Sequence, residues 1–129
     1  MVGLLLVCHS PEMARGLMAL VSQVAGDIPL AAVGGTADGR LGTDPMAVVA
    51  AIDQIWSEDG VLVLVDLGSS VMATETALEL LTPARAERVQ LTGAPFVEGA
   101  IAAGIEAKIG RPLARVRAAA EEALNQPKF

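Results

Sequence analysis

The sequence predicts an α/β fold: a doubly wound, mostly parallel sheet of strand order 2-1-3-4 with helices on both faces. Short aliphatic runs alternate with segments of helical periodicity along the 129 residues, which is typical of right-handed βαβ units. The runs are continuous rather than alternating, which indicates strands buried on both faces. No linker or internal repeat interrupts the pattern, so residues 1–129 are predicted to form a single domain.

The first strand is the run from Val2 to Val7, and a helix is predicted directly after it. The segment Ser10 to Glu12 supplies a hydroxyl N-cap, a proline in the first turn and an acid near the helix N-terminus. The helix ends at Gly26-Asp27, and Ile28 to Val33 forms the second strand. Residues at helical spacing are expected to form the apolar face of this helix: Met13, Leu17, Leu20 and Val24.

A glycine-rich loop from Gly34 to Gly42 leads into the second helix, which begins at Thr43-Asp44-Pro45. The expected apolar face of this helix is Val48 or Val49 with Ile52, Ile55 and Trp56. Asp59-Gly60 then turns the chain into the third strand, Val61 to Val65, which is purely aliphatic. The short loop after this strand is Asp66 to Ser70.

The second half of the chain repeats the alternation of helix and strand. A helix is predicted through Leu81 to Pro83, and the fourth strand runs from Val89 to Thr92. The next helix has an expected apolar face of Val97, Ile101 and Ile105, with Gly99, Ala103 and Gly104 permitting close packing. The last helix, after Pro112, carries Leu113, Val116, Ala120 and Leu124.

Composition and charge exclude several classes of function. The chain has 15 acidic and nine basic residues, a net charge of −6, which argues against a nucleic-acid partner. One cysteine allows no internal disulfide and no zinc or iron–sulfur site, so neither a metal nor a cofactor is expected. No stretch has the length of a membrane span or the features of a secretory signal. We therefore expect a cytoplasmic protein without a membrane partner.

The only histidine in the chain, His9, follows the first strand, and Asp66 follows the third. In the predicted topology the strand order reverses between these two strands, and ligands in such sheets bind beyond the carboxyl ends at that point. His9 and Asp66 should therefore face each other across a crevice, with Ser10 and the segment Gly68 to Ser70 beside them.

This pair of side chains suits nucleophilic chemistry at a phosphate. A helix N-terminus offers free N–H groups and partial positive charge, which favour an anion. The carboxylate of Asp66 can accept a hydrogen bond from one ring nitrogen of His9, leaving the lone pair of the other free to attack. We interpret His9 as a nucleophile that Asp66 orients.

Other chemistries fit the sequence less well. Acyl transfer through Ser10, Ser69 or Ser70 lacks the G-x-S-x-G motif, and each of these serines is also a plausible helix cap. Cys8 could act as a thiolate near a helix N-terminus, although a cysteine at a strand end is more often a small core residue. A phosphorylated Asp66 of the receiver type would require an acidic pair after the first strand, where Cys8 and His9 stand.

Four stretches of the chain are similar to one family of proteins. They are VCHSPEMARG, LGTD (Leu41 to Asp44), VLVDLGSS followed by ATETALELL, and GAPFVEGAIAA. They resemble the phosphoryl-donor subunits of PTS-dependent dihydroxyacetone kinases, whose N-terminal domain belongs to the mannose-type EIIA family. The resemblance runs from the first strand to about Ala103.

The resemblance implies a phosphotransferase that works as a homodimer and carries phosphate on His9, with Asp66 orienting the ring. Phosphate would arrive from phospho-HPr and leave to ADP held on the nucleotide subunit of the kinase. The expected phosphate-binding residues, with Asp44 beside them, are Ser10, Gly42, Thr43, Gly68, Ser69 and Ser70.

Two alternatives to a kinase donor remain. A mannose-type EIIA of sugar transport would pass its phosphate to an EIIB domain, although the stretches ETALELL and APFVEGA are more similar to the kinase subunits. A small-ligand or scaffolding domain would leave the placement of His9 and Asp66 incidental.

Overall fold

The computed structural model describes all residues from Met1 to Phe129. At its centre is a four-stranded parallel sheet of order β2-β1-β3-β4, which confirms the predicted fold class and strand order. Val7 of the first strand pairs with Val33 on one side and Val65 on the other, so the strands end together at the carboxyl edge. The strands are β1 (Gly3–Cys8), β2 (Leu30–Gly34), β3 (Val61–Val65) and β4 (Val89–Thr92).

Six α-helices accompany the sheet, and a 3₁₀ turn, Ala123–Asn125, follows the last of them. The helices are α1 (Pro11–Ala25), α2 (Pro45–Gln54), α3 (Gly68–Glu79), α4 (Pro83–Ala86), α5 (Phe96–Ile109) and α6 (Leu113–Glu122). Helices α1, α5 and α6 pack on one face of the sheet, and α2 and α3 on the other. None of the helices combines the length and apolarity that crossing a bilayer requires.

The strand side chains alternate between two core clusters, one on each face of the sheet. Leu4 and Leu6 of β1 pack with α1, α5 and α6, whereas Leu5 and Val7 pack with α2 and α3. Every residue of β1 and of β3 is buried. The continuous aliphatic runs are thus explained, because a central parallel strand must be apolar towards both layers of helices.

One helix ends earlier than the sequence pattern indicates. The segment expected to run through Leu81 to Pro83 is helical only to Glu79, and the short helix α4 begins at Pro83 with Thr82 as its N-cap. Proline lacks an amide hydrogen and disfavours a helical conformation in the preceding residue. A new turn starts there instead.

The expected apolar face of α1 is largely wrong. That of α5 is partly wrong, although Ile101 packs against the core and Gly99, Ala103 and Gly104 are close-packed as expected. In α1 the buried residues are Ala14, Leu17, Val21 and Ala25, whereas Met13, Leu20 and Val24 are exposed. In α5 the buried residues are Gly99, Ala100, Ala103, Gly104 and Ala107, whereas Val97 and Ile105 are exposed. The small residues let the helix axes approach the sheet and each other closely, so the larger aliphatic side chains point outward. Leu124, in the 3₁₀ turn, is also exposed.

The carboxyl edge of the sheet gathers the starts of three helices. The Oγ of Ser10 accepts the amide of Met13 at the start of α1, and the Oδ1 of Asp44 accepts the amide of Met46 at the start of α2. Helix α3 has no side-chain cap. Gly34, at the end of β2, lies so close to this edge that a Cβ atom there would be 2.3 Å from the Ser10 carbonyl oxygen. A glycine at this position is what allows α1 to start directly against the sheet.

Candidate functional site

His9 and Asp66 meet where β1 and β3 end side by side. The ring Nδ1 of His9 lies 3.0 Å from Oδ1 and 3.1 Å from Oδ2 of Asp66. The main-chain amide of His9 donates to the same carboxylate, at 3.1 Å from Oδ2. The amide of Asp66 in turn donates to the carbonyl of Val7. The predicted juxtaposition across the crevice is therefore present, and it is fixed by both main-chain and side-chain contacts.

The carboxylate selects one tautomer of the His9 ring. An ionised carboxylate only accepts hydrogen bonds, so Nδ1 must carry the hydrogen and Nε2 must carry the lone pair. The Oγ of Ser69 lies in hydrogen-bond contact with Nε2. The His9 side chain is 24% exposed, the Asp66 side chain beside Nδ1 is 9% exposed, and Ser69 beside Nε2 is an exposed residue.

The surroundings of Asp66 keep it ionised. Burial acts to raise the pKa of Asp66, but hydrogen bonds from Ser70, from His9 and from the amide of Leu67 outweigh burial and hold it below its ordinary value. A carboxylate with a lowered pKa stabilises the fold above its unfolded-state pKa, and this contribution is lost as pH falls through the folded-state pKa. Asp66 is thus a hydrogen-bond acceptor for His9 throughout the neutral range.

Ser70 and Thr43 lie behind the carboxylate rather than on the open side of the ring. Ser70 is fully buried, and its Oγ donates to Oδ1 of Asp66 at 2.8 Å. The Oγ1 of Thr43 is 3.0 Å from the Ser70 Oγ and 3.1 Å from the Cys8 carbonyl oxygen. The structure therefore brings both expected phosphate-binding residues into the site, on the side of Asp66.

Two further expected phosphate-binding residues have their polar groups engaged elsewhere. The hydroxyl of Ser10 caps α1 and contacts Glu12. The amide of Gly42 donates to the carbonyl of His9 at 2.9 Å, and the amide of Gly35 donates to the carbonyl of Gly42. Through these contacts the glycine-rich loop supports the main chain of His9.

Gly68 and Ser69 form the uncapped start of α3. No side chain caps this N-terminus, and Ser69 is exposed at the open side of the His9 ring. A helix start with unsatisfied amides beside Nε2 of His9 is a suitable place for an anion such as phosphate.

The thiol of Cys8 is not arranged as a nucleophile. Cys8 is fully buried, and its Sγ donates to the carbonyl of Ser10 at 3.3 Å. Burial raises the pKa of this thiol, and the negative charge of Asp66 acts in the same direction. Cys8 therefore behaves as a small core residue, in agreement with the structural interpretation of its position.

Sequence reasoning missed the main-chain groups of the site. The amide of Leu67 donates to Oδ1 of Asp66 at 2.7 Å, and the carbonyl of Cys8 accepts from Thr43. Backbone groups are present at every position, so no residue type marks them. Only the folded path of the chain identifies which of them contact the site.

Several large apolar side chains are exposed on the loops and helices at the carboxyl edge of the sheet. They are Leu41, Met46, Leu67 and Met72, each more than 60% exposed. Leu41 lies in the loop before α2, Met46 in the first turn of α2, Leu67 directly before α3, and Met72 in the second turn of α3. An exposed apolar set of this kind is typical of a surface that contacts another protein.

Comparison with known proteins places the chain in a family. The family model EIIA-man, described as PTS system fructose IIA component, matches residues 3–117. A Listeria innocua protein, "PEP-dependent dihydroxyacetone kinase 2, phosphoryl donor subunit DhaM", is 34% identical over 84% of this chain and 88% of its own length. The Lactococcus lactis "PTS-dependent dihydroxyacetone kinase, phosphotransferase subunit DhaM" is 33% identical, with 95% of each chain covered.

Other relatives are longer than this chain. The DhaM phosphoryl donor subunit of Pantoea ananatis is 41% identical over 96% of this chain, but the match spans only 27% of that protein. Among solved structures, "unknown function protein EF1359" has a TM-score of 0.82 and 34% identity, covering 93% of this chain and 92% of its own.

A more distant solved structure agrees in fold alone. The phosphotransferase system component EIIA from Streptococcus agalactiae has a TM-score of 0.70 at 15% identity, covering 97% of this chain and 93% of its own. The family model and the relatives of similar length agree with the resemblance noted in the sequence. The chain therefore belongs to the EIIA-man family of phosphotransferase-system IIA components, and within it to the group of DhaM phosphoryl-donor subunits.

Proposed function

We propose that this chain is a phosphohistidine carrier. His9 accepts a phosphoryl group from phospho-HPr and passes it to ADP bound to the nucleotide subunit of dihydroxyacetone kinase. The chain is then a phosphotransferase component of the kinase system, and the phosphorylation of dihydroxyacetone takes place elsewhere. Phospho-HPr and the carrier must share one compartment, which we propose to be the cytoplasm. The observation that carries the proposal is Nδ1 of His9 held by Asp66, which leaves the lone pair on Nε2, where only the Ser69 hydroxyl contacts it.

In this proposal the transfer needs little chemistry beyond placement. Nε2 of His9 attacks phosphorus in line as the bond to the donor nitrogen breaks, through a loose transition state. The Nδ1 hydrogen stays directed at Asp66, whose charge stabilises the positive ring. The Ser69 hydroxyl turns from Nε2 to donate to a phosphoryl oxygen, and the amides of Gly68 and Ser69 contribute further donors.

The surface around the site is suited to protein partners, both the phosphoryl donor and the subunit that holds the acceptor. Leu41, Met46, Leu67 and Met72 offer apolar contact area around His9. The net charge of −6 favours partners whose rim is basic, since opposite charges steer association.

A second candidate is supported by the family description. The matching family model is described as a fructose IIA component, and a sugar-transport EIIA passes its phosphate to an EIIB domain. Relatives at 33–41% identity that are described as DhaM favour the hypothesis of a donor subunit of dihydroxyacetone kinase instead. Both candidates use the same nucleophile and differ only in the acceptor.

We expect ADP bound to the kinase subunit to remove the phosphoryl group from the phosphorylated protein. A mannose-type EIIB domain should leave the protein phosphorylated. Labelled phospho-protein is offered the ADP-loaded nucleotide subunit and, separately, the EIIB domain, and loss of label from His9 is followed over time. Free ADP without the subunit is the control for direct discharge. Discharge to the EIIB domain alone would replace the kinase proposal with sugar transport and would leave the chemistry of His9 unchanged.

We also propose that the protein is a homodimer joined through the outer face of α1 and α5. Leu20 and Val24 of α1 and Val97, Ile105 and Ile109 of α5 are each more than 40% exposed. The two helices are neighbours, since a Cβ at Gly104 would meet Val21 and Ala25. Their exposed side chains thus form one apolar surface of the kind that a second copy covers.

A dimer of twice the 13.2 kDa chain mass is expected at micromolar concentration in sedimentation. Ile105→Glu places a charge within the apolar surface of α1 and α5 and should shift the protein to the monomer mass. The control is Leu80→Glu, which changes a similarly exposed leucine on the opposite side of the sheet. A monomeric parent, or equal behaviour of both variants, would contradict this interface.

A further inference from the structure

We propose that Thr43 and Ser70 are positioning residues: their hydroxyls, one partly and one fully buried, form a relay that holds the Asp66 carboxylate and, through it, the tautomer and orientation of His9. This role deepens the proposed phosphocarrier function and rests on it for its biological consequence. It differs from direct phosphate binding, in which the hydroxyls would contact the transferred group.

Geometry supports an action through Asp66. The Ser70 Oγ donates to Oδ1 of Asp66 at 2.8 Å and lies 3.3 Å from Nδ1 of His9. Both contacts are on the side of the ring opposite to the reactive Nε2. Ser70 is fully buried, so its hydroxyl has no path to a phosphoryl group on the open side without a rearrangement of α3. Ser69, its neighbour, occupies the open side instead.

The hydroxyls of Thr43 and Ser70 have fewer protons than contacts. Between them they make contacts with Asp66, with the Cys8 carbonyl and with each other. Each hydroxyl has one hydrogen to donate. An ionised carboxylate and a carbonyl both only accept, so one of these three contacts is without a proton at any moment.

The proton shortage assigns different roles to the two hydroxyls. While Asp66 is ionised, the proton of Ser70 is committed to it. The proton of Thr43 alternates between the Cys8 carbonyl and the Ser70 Oγ. When Thr43 donates to Ser70, it polarises that hydroxyl and strengthens the Ser70 bond to Asp66, as hydrogen bonds in a chain do. Thr43 therefore influences Asp66 only through Ser70, and its effect should vanish when Ser70 has no hydroxyl.

Few ionisable groups compete with this relay. Two titratable side chains face Asp66: the ring of His9 and the thiol of Cys8. Among the hydrogen bonds that lower the pKa of Asp66, the one from Ser70 has the largest effect. Removal of this hydroxyl should therefore make Asp66 easier to protonate.

The test is the titration of the Asp66 side-chain carboxyl by ¹³C NMR in the unphosphorylated protein. Ser70→Ala should move the midpoint to higher pH, and Thr43→Val should move it less, in the same direction. The double variant should match Ser70→Ala, because the Thr43 effect passes through Ser70. Ser70→Thr keeps the hydroxyl and should restore the parent midpoint. Thr74→Val is the matched control, because it removes an equally buried hydroxyl that contacts the Ser70 carbonyl and not Asp66.

A second readout connects the relay to transfer. Ser70→Ala should slow phosphorylation by phospho-HPr roughly tenfold, the order expected for one lost hydrogen bond to a charged group. An unchanged carboxyl midpoint in Ser70→Ala would overturn the relay, as would additive effects in the double variant. Because the titration needs no phosphate, a parent protein that is never phosphorylated would reject the proposed function while the relay is still judged by its midpoints.

Discussion

Replacing His9 with alanine is expected to abolish the phosphoryl adduct completely, because no other residue of the site carries an open nucleophilic nitrogen. Parent and variant are incubated with phosphoenolpyruvate, enzyme I and HPr, and intact masses are taken at neutral pH. The parent adduct should survive base and be lost in acid, as a phosphoramidate does and a serine phosphate does not. His9 is the only histidine in the chain, so the assignment needs no mapping.

The control for this result is the fold of the variant. The His9 ring is partly exposed and belongs to neither core cluster, so His9→Ala should keep the parent circular-dichroism spectrum. An adduct that persists in folded His9→Ala would assign the phosphate to another group, with Ser69 the first to examine, since its Oγ lies beside Nε2. A parent that takes up no phosphate would reject the carrier proposal.

Asp66→Asn is expected to fold normally and to transfer phosphate at least about 10²-fold more slowly. An amide at this position no longer selects the Nδ1–H tautomer and no longer stabilises the positive ring; the equivalent change in serine-protease triads costs about 10⁴-fold. The rate for the parent should fall as pH drops through the lowered pKa of Asp66, because protonation removes the acceptor of the Nδ1 hydrogen. Rapid-quench measurement of phosphohistidine formation between about pH 2 and pH 8, a range that extends below the ordinary aspartate pKa of about 3.9, with the reaction stopped in base, gives both quantities.

Asp44→Asn is the matched control for Asp66→Asn. Asp44 lies at the same edge of the sheet and caps α2 through Oδ1, and asparagine is an equally good N-cap. This variant should transfer phosphate at the parent rate. Parent-like transfer by Asp66→Asn would remove Asp66 from the mechanism and leave it a structural acceptor for the amides of His9 and Leu67.

The architecture of this protein was predictable because its signals are local. A strand covered on both faces must be aliphatic throughout, so β1 and β3 were visible as uninterrupted runs. The start of α1 was equally visible, since Ser10 and Pro11 are the residue types that a helix start requires. These signals depend only on neighbours along the chain. Together with the adopted strand order 2-1-3-4, they placed His9 opposite Asp66.

Packing between helices was not predictable in the same way. Leu20 and Val24 have the spacing of a core face, yet Val21 and Ala25 are buried in their place. Helical periodicity identifies which residues share a face but does not say which face meets the sheet. In α5 that choice depends on how closely Gly99 and Gly104 let the backbone approach α6 and α1, and this distance exists only in the folded protein.

The sequence by itself determined that a lone histidine and a carboxylate each end a buried strand, and the ends of parallel strands meet at one edge of the sheet. The adopted flavodoxin-like order 2-1-3-4 makes these two strands neighbours. Only the tertiary structure decided what the surrounding hydroxyls do. Ser69 and Ser70 are consecutive and chemically identical, yet the turn of α3 points one at Nε2 of His9 and the other at Oδ1 of Asp66. Successive residues of a helix are rotated by about 100°, since a turn holds about 3.6 residues. A hydrogen bond tolerates only a few tenths of an ångström, so the direction in which α3 leaves the sheet, and not the residue type, separates the two roles.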